Sequence, residues 1–299
     1  MPVETLVQPG AQADELILNM GPQHPSTHGV LRLILRVDGE VVKGCRPDVG
    51  YLHRCAEKIA ESVNYNMFIP YSDRMDYLAG MNNNHAYCLA VEQLAGIAVP
   101  ERGEFIRVIM LELNRIASHL MAIGTYGLDV GAITPFLHCF RERERILDLF
   151  EEVCGARLLY NYVRIGGVRN DLPEGWTDRC RQFLEYFEPK VPEYNRLLTY
   201  NPIFIKRTAG VGVLPPALAI DYGCTGPVLR GSGVRWDLRR DDPYSVYPRL
   251  AFDVPVGRGE MGTVGDCWDR YWVRMEEMRQ SVRILRQALD MLPAGPHAA

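Results

Sequence analysis

The hydrophobic period of this chain changes once, and that change decides what it can fold into. Across residues 30–37, Leu31, Leu33, Leu35 and Val37 fall on one face and Arg32 and Arg36 on the other. Alternation of this kind marks a half-buried strand. Asp38-Gly39 follows, then residues 40–43 with two valines, which predicts a hairpin turning at Asp-Gly. Residues 15–20 add a further short strand. From about residue 48 the spacing becomes helical, with Leu52, Ala56, Ile59 and Val63 on one face. A second helix is predicted over 75–94, with Asp73 as its cap and Gly96 as its stop. Phe105, Ile109, Leu113, Ile116 and Leu120 mark a third, residues 136–160 a fourth and 177–198 a fifth. The last, over 266–292, carries Tyr271, Met275, Met278, Val282 and Leu285 on one side. The fold class is α+β. Residues 1–14 read as a flexible tail, 15–47 as an N-terminal β subdomain, and 48–299 as a mainly helical body with a Gly/Pro-rich irregular region at about 200–265.

Charge and composition exclude several functions. Lys and Arg number 33 against 37 Asp and Glu, a net charge of −4 with no basic block, which makes a poor nucleic-acid binder. A 47% hydrophobic content excludes a disordered chain. No stretch reaches the roughly 18 apolar residues of a spanning helix, so the chain is expected not to cross a membrane. Met1-Pro2-Val3-Glu4 has neither the basic start nor the apolar core of a secretory signal. The eight cysteines, at 45, 55, 88, 139, 154, 180, 224 and 267, include no CxxC pair. Local zinc and iron–sulfur sites usually need such pairs, so these thiols are expected to be small buried apolar residues in a reducing compartment.

Four constellations could carry chemistry. In Gln23-His24-Pro25-Ser26-Thr27-His28-Gly29 the two histidines have the spacing of a helical metal pair, but Pro25 and Gly29 argue for a loop. There a histidine ties down the loop or serves as a hydrogen-bonding and proton-transfer group. Tyr71-Ser72-Asp73-Arg74-Met75-Asp76-Tyr77 stands at a helix start, with Asp76 placed to suit the helix dipole. Asn82-Asn83-Asn84-His85 is polar for a helix interior and suggests a wet or ligand-lined face. Asp129, between glycines and apolar residues, is expected to be buried and to need a partner such as a histidine, while Thr134 ahead of Pro135 is the better helix cap. The charge run at 141–145 reads as a solvated helix face. The Gly231-Ser232-Gly233 loop lacks phosphate-loop spacing, and GxGxxG, GxSxG and HExxH are all absent.

Taken together these blocks resemble one family. Residues 20–32 (Met-Gly-Pro-Gln-His-Pro-Ser-Thr-His-Gly-Val-Leu-Arg), Gly50-Tyr51-Leu52-His53-Arg54 and Asp73-Arg74-Met75-Asp76-Tyr77 are similar to the D subunits of respiratory complex I, NADH–quinone oxidoreductase. So are 129–136, Gly155-Ala156-Arg157, 229–236, 265–271 and 276–281, and the blocks follow in family order from residue 16 to about 293. The resemblance implies a body like the large subunit of [NiFe] hydrogenases, whose metal pocket has become a quinone cavity. The first hydrogenase CxxC pair would fall near Arg74–Tyr77, where this chain has no cysteine. It further implies that the quinone headgroup sits between His28 and Tyr77, with Asp129 paired to His28. A phenol and an imidazole can each donate a hydrogen bond to a quinone carbonyl, and negative charge developing during reduction strengthens both bonds.

The resemblance also implies that electrons arrive from a 4Fe–4S cluster held by the neighbouring subunit, close to Arg54, with no cluster or metal held by this chain. The other partners implied are further peripheral-arm subunits and the membrane-arm subunits at the quinone entrance. The place implied is the cytoplasmic side of the bacterial cell membrane, within a proton-translocating assembly; the chain would not be active alone. Two departures stand out. Many relatives carry a histidine where this chain has Leu159. The family's C-terminal segment, which returns to line the cavity, has no counterpart after residue 293, so that wall is expected to be missing or supplied by another chain. Two other readings remain at this point: a truncated non-catalytic scaffold and a hydrogenase-type metalloenzyme, the latter opposed by the missing CxxC pairs.

Overall fold

The computed structural model describes residues 15–299, so the tail expected at 1–14 lies outside the described residues. The chain divides after Ser62 into two compact units. In the first, β1 (Leu16–Met20), β4 (Arg32–Asp38) and β5 (Val41–Asp48) form an antiparallel sheet of order β1-β4-β5. Leu16 faces Val37 and Met20 faces Leu33 across the first ladder. In the second, Asp38 still pairs with Val41, so the turn is Gly39-Glu40, one residue later than Asp-Gly. Gly39 takes the left-handed conformation (φ +57°) that such a turn requires. Arg32 pins the sheet at both sides, donating to Asn19 Oδ1 (2.9 and 3.1 Å) and to Asp48 Oδ2 (3.2 Å). Between β1 and β4, β2 (Gln23–His24) and β3 (Gly29–Val30) form a short ladder around a 3-10 turn, Pro25–Thr27. The helix expected around Leu52–Val63 shrinks to α1 (Ala56–Ala60); Leu52 is exposed in the preceding loop.

The second unit is built on one helix. In α4 (Glu101–Asp129), Phe105, Ile109, Leu113, Ile116 and Leu120 are buried as expected, and so are Ile106, Val108, Met110 and Leu111. A helix apolar on every side belongs in the middle of a core. Around it stand α3 (Gly80–Ala95), α5 (Ile133–Cys154) and α12 (Cys267–Asp290), with α2 (Tyr65–Asp73) packed on α3. Gly96 closes α3 in the left-handed conformation, as its position foretold. Asp266 caps α12 by accepting the Asp269 N–H (2.8 Å), and the predicted stripe from Tyr271 to Leu285 is buried. The fifth helix is broken: α6 (Trp176–Phe187) and α7 (Lys190–Tyr194) are separated at Pro189, which lacks the N–H a continuous helix needs. The irregular region carries four short helices, α8 (Pro202–Thr208), α9 (Pro216–Asp221), α10 (Gly226–Gly231) and α11 (Leu238–Asp241).

Three local expectations are corrected. Thr134 caps nothing: α5 starts at Ile133, and both Thr134 and Pro135 lie inside its first turn. The charge run is not wholly solvated, because Glu142 is fully buried and takes a hydrogen bond from Arg141 (2.5 Å). Of the cysteines, all free, only Cys88, Cys139 and Cys180 are buried, while Cys45 and Cys55 are exposed.

Residues 297–299 return to the body beside β6 (Val163–Arg164) and β7 (Gly167–Val168). His297 O accepts the Val168 N–H (3.2 Å), and the Ala299 N–H donates to Gly166 O (2.9 Å). Gly167 sits at φ +154°, where a Cβ would come 2.2 Å from His297 O. Gly167→Ala is therefore expected to detach this pairing and cost about 1–3 kcal/mol in strain alone. Faster amide exchange at Val168 and Ala299 is the readout; unchanged protection would refute it.

Candidate functional site

Of the four site residues expected from the sequence, His28 and Arg54 belong to the first unit and Tyr77 and Asp129 to the second. His28 closes the 3-10 turn in the left-handed region (φ +47°), which histidine tolerates better than most residues. Thr27 holds that shape: its hydroxyl donates to His24 O (2.8 Å) and Gly29 O (3.1 Å). His24 acts locally, its Nδ1 accepting the Ser26 N–H (3.1 Å). The His28 side chain is exposed. Arg54 is exposed too, on the loop before α1, between Cys55 (φ +55°) and a turn closed by the His53 N–H on Gly50 O (3.0 Å).

Tyr77 opens a short 3-10 turn, Tyr77–Ala79, ahead of α3. Asp76 caps that turn, its Oδ1 accepting the Leu78 N–H (3.1 Å). From α3, Asn83 donates to Asp76 O (3.0 Å); from α4, Asn114 donates to Leu78 O (3.0 Å) and accepts from the Met81 N–H (3.1 Å). The turn is thus fixed by its backbone, and the Tyr77 ring is left 52% exposed. The asparagine run is mostly a clasp. Asn82 bonds Asn114 Oδ1 (3.2 Å), and Asn84 bonds Ile69 O (3.2 Å) and Ser72 Oγ (2.9 Å). Its wet-face character survives at one edge, where Asn82 and His85 line a cavity of about 830 Å³ shared with Glu92, Glu104 and Tyr244. Burial, aided by the Arg107 charge, pulls the His85 imidazole down to about 3 and keeps it neutral.

Asp73 is not the cap of α3. It ends α2, is fully buried, and accepts the Asn161 N–H on Oδ2 (2.9 Å). Asp129 is the last residue of α4 and is exposed, contrary to expectation. The flanking glycines explain the motif without burial. Gly127 O accepts the Ala132 N–H (2.8 Å) and Gly131 turns at φ +92°, so the chain can swing from α4 into α5. Along α4, Asp129 lies beyond Asn114, which holds the Tyr77 turn, by about 22 Å of helical rise. Tyr77 and Asp129 therefore stand at different depths along one helix. Leu159 sits in the left-handed region at φ +58°.

Sequence reasoning missed the main charged network. Glu112 of α4 is fully buried and accepts from Arg239 (3.0 Å), Tyr247 Oη (2.7 Å), Ser281 Oγ (2.6 Å) and Arg115 (3.3 Å). Arg239 also holds Asp237 (2.7 Å). Glu277 of α12 accepts from Arg230 (2.6 Å) and meets His119 Nε2 (2.7 Å). Burial raises the Glu112 carboxyl, but Arg115 and Arg239 outweigh it and hold the group near 2. Glu277 is likewise held far below the usual carboxylate range, by His119 and Arg230 against the effect of burial. A signal was available: Glu112 interrupts an otherwise apolar run of α4, and a buried carboxylate needs partners.

Residues 129–299 match the family described as the respiratory-chain NADH dehydrogenase 49 kDa subunit. The chain is 58% identical over 290 residues to the second NADH-quinone oxidoreductase D subunit of Sorangium cellulosum, covering 97% of this chain and 75% of that protein. It is 57% identical over 291 residues to the D subunit of Chlorobaculum tepidum (97% and 73% covered). The second D subunit of Anaeromyxobacter dehalogenans is 57% identical over 284 residues (95% and 75% covered). The chain belongs to the family of NADH-quinone oxidoreductase D subunits. As a D subunit it is one component of an oxidoreductase complex, complex I. Among its described residues no helix is long and apolar enough to cross a membrane.

Proposed function

We propose that this D subunit forms the protein side of the quinone-reducing site of complex I and helps protonate the quinone. The observation that carries the reading is the Tyr77 phenol, half exposed on a turn that Asp76, Asn83 and Asn114 fix through its backbone. A donor held rigidly by other groups needs no reorganisation when charge develops on its acceptor. Tyr77 donates to one quinone carbonyl and His28 to the other. Asp129, exposed at the end of α4, is assigned by the family resemblance as the carboxylate that balances a histidine's cationic form. Two protons are taken up as two electrons arrive, which converts quinone to quinol.

The electrons come from a 4Fe–4S cluster on the neighbouring subunit; this chain's dispersed cysteines offer no local set of thiolates for one. Arg54, exposed on its loop, faces that cluster and as a fixed cation raises its potential. The body is that of a hydrogenase large subunit, and the thiol-free stretch at Arg74–Tyr77 belongs to the quinone cavity instead. Other peripheral-arm subunits and the membrane arm complete the assembly, which lies peripherally on the cytoplasmic face of the membrane and couples the reaction to proton translocation.

His28→Ala in the assembled complex tests this. Quinone reduction is expected to fall at least about tenfold, while NADH oxidation by an artificial acceptor upstream of the quinone keeps its rate. Equal loss of both activities, or of neither, overturns the assignment.

A further inference from the structure

Around the buried end of α2 the hydrogen bonds do not balance. Asp73 Oδ2 accepts the Asn161 N–H (2.9 Å), but Asp73 Oδ1, Asn84 Oδ1 and Asn161 Oδ1 are all buried without a partner. The Asn84 NH2 is committed to Ile69 O and Ser72 Oγ. Three acceptor oxygens around one carboxyl lack a donor, and such groups are costly when buried. A proton on Asp73 turns one acceptor into a donor and so provides one of the missing hydrogen bonds. The surroundings agree. Burial dominates and lifts the carboxyl to about 6, against the lowering effects of Asn161, Asn84, Arg74 and Arg164; the remaining titratable neighbours are Cys88, Cys154 and Tyr160.

The position matters because the Tyr77 turn lies between Asp73 and Gly80. Gly80 is packed so closely on Asp73 Oδ1 that a Cβ there would come within 3.0 Å. We propose that Asp73 is a positioning residue for Tyr77: protonated on Oδ1, it shares its one O–H between the Asn84 and Asn161 oxygens and locks the end of α2 against the start of α3; ionised, it gives up that bond and the turn loosens. The proton exchanges with solvent. This rests on the reading of Tyr77 as a quinone ligand.

The protonated fraction falls as pH rises through the Asp73 midpoint. In the assembled complex the KM for a short-chain quinone is therefore expected to rise about fivefold, the worth of one hydrogen bond, between about pH 5 and pH 8. Asp73→Asn keeps the shape and supplies N–H donors without titrating, so its KM stays flat and its kcat is little changed. Infrared pH-difference spectra of the same complexes show a protonated-carboxyl stretch that titrates in the wild type and is missing in D73N. Parallel KM profiles in the two proteins, or the same carboxyl bands in both, overturn the proposal. Should D73N fail to assemble, Asn161→Ala removes one unpaired oxygen yet keeps the backbone N–H, and must lower the midpoint; an unmoved midpoint overturns it. A titrating carboxyl with a flat wild-type KM overturns the positioning role, and Tyr77→Phe then tells whether the quinone reading stands without it.

Discussion

Tyr77→Phe in the assembled complex is expected to depress quinone reduction about 10²-fold, the usual cost of losing one preorganised donor to a developing negative charge. NADH oxidation by an artificial acceptor should stay within about twofold, because electrons leave for that acceptor before they reach the quinone. The separation follows from how the turn is held. Asp76, Asn83 and Asn114 bind its main chain, and the Tyr77 hydroxyl has no partner among the described residues. Phe at 77 keeps all of those bonds and should leave stability within about 0.5 kcal/mol of wild type. A fall in kcat with the subunit still fully assembled is the supporting result. Parallel loss of both activities would mean that the ring is structural, and unchanged quinone reduction would remove Tyr77 from the site.

What the sequence made legible was what repeats. The stripes of α4 and α12 persist over many turns, so their helices and buried faces could be read directly. The β4–β5 hairpin followed from alternation and a turn signal, with the turn misplaced by one residue because Asp38 pairs with Val41. Single-residue readings failed where tertiary contacts compete with a local rule. Asp73 has the composition of a cap, but the chain breaks at Arg74, and its carboxylate serves Asn161, 88 positions away. Asp129 looked buried because its neighbours are small and apolar; those neighbours are there to let the backbone turn. The charged network was invisible for a related reason. Arg239 reaches Glu112 across 127 positions and His119 reaches Glu277 across 158, and no spacing rule extends so far. Tyr77 and His28, the residues proposed for the site, come from the family resemblance and not from a spacing rule; both stand in short motifs that lie at turns.

That hidden network should dominate the stability of the second unit. Glu112→Ala leaves the buried Arg239 and the partly exposed Arg115 without their shared carboxylate and strips the buried Tyr247 and Ser281 of an acceptor. Removing one member of a buried pair typically costs about 3–5 kcal/mol, since the remaining charge stays desolvated. For a unit of this size that is a fall of about 10 °C in Tm. The wild type should also lose stability in acid. The Glu112 and Glu277 carboxyls are held below their unfolded values, so their contribution is fully present above about pH 4.5 and is lost as pH falls toward 2. Glu112→Gln should flatten that acid limb, and thermal unfolding at several pH values reads both effects. The double change Glu112→Leu with Arg239→Met removes both charges at once and should recover much of the single-mutant loss. If the double variant is instead as unstable as the two singles added together, the pair is not coupled. Glu112 would then act through its other partners, Arg115, Tyr247 and Ser281.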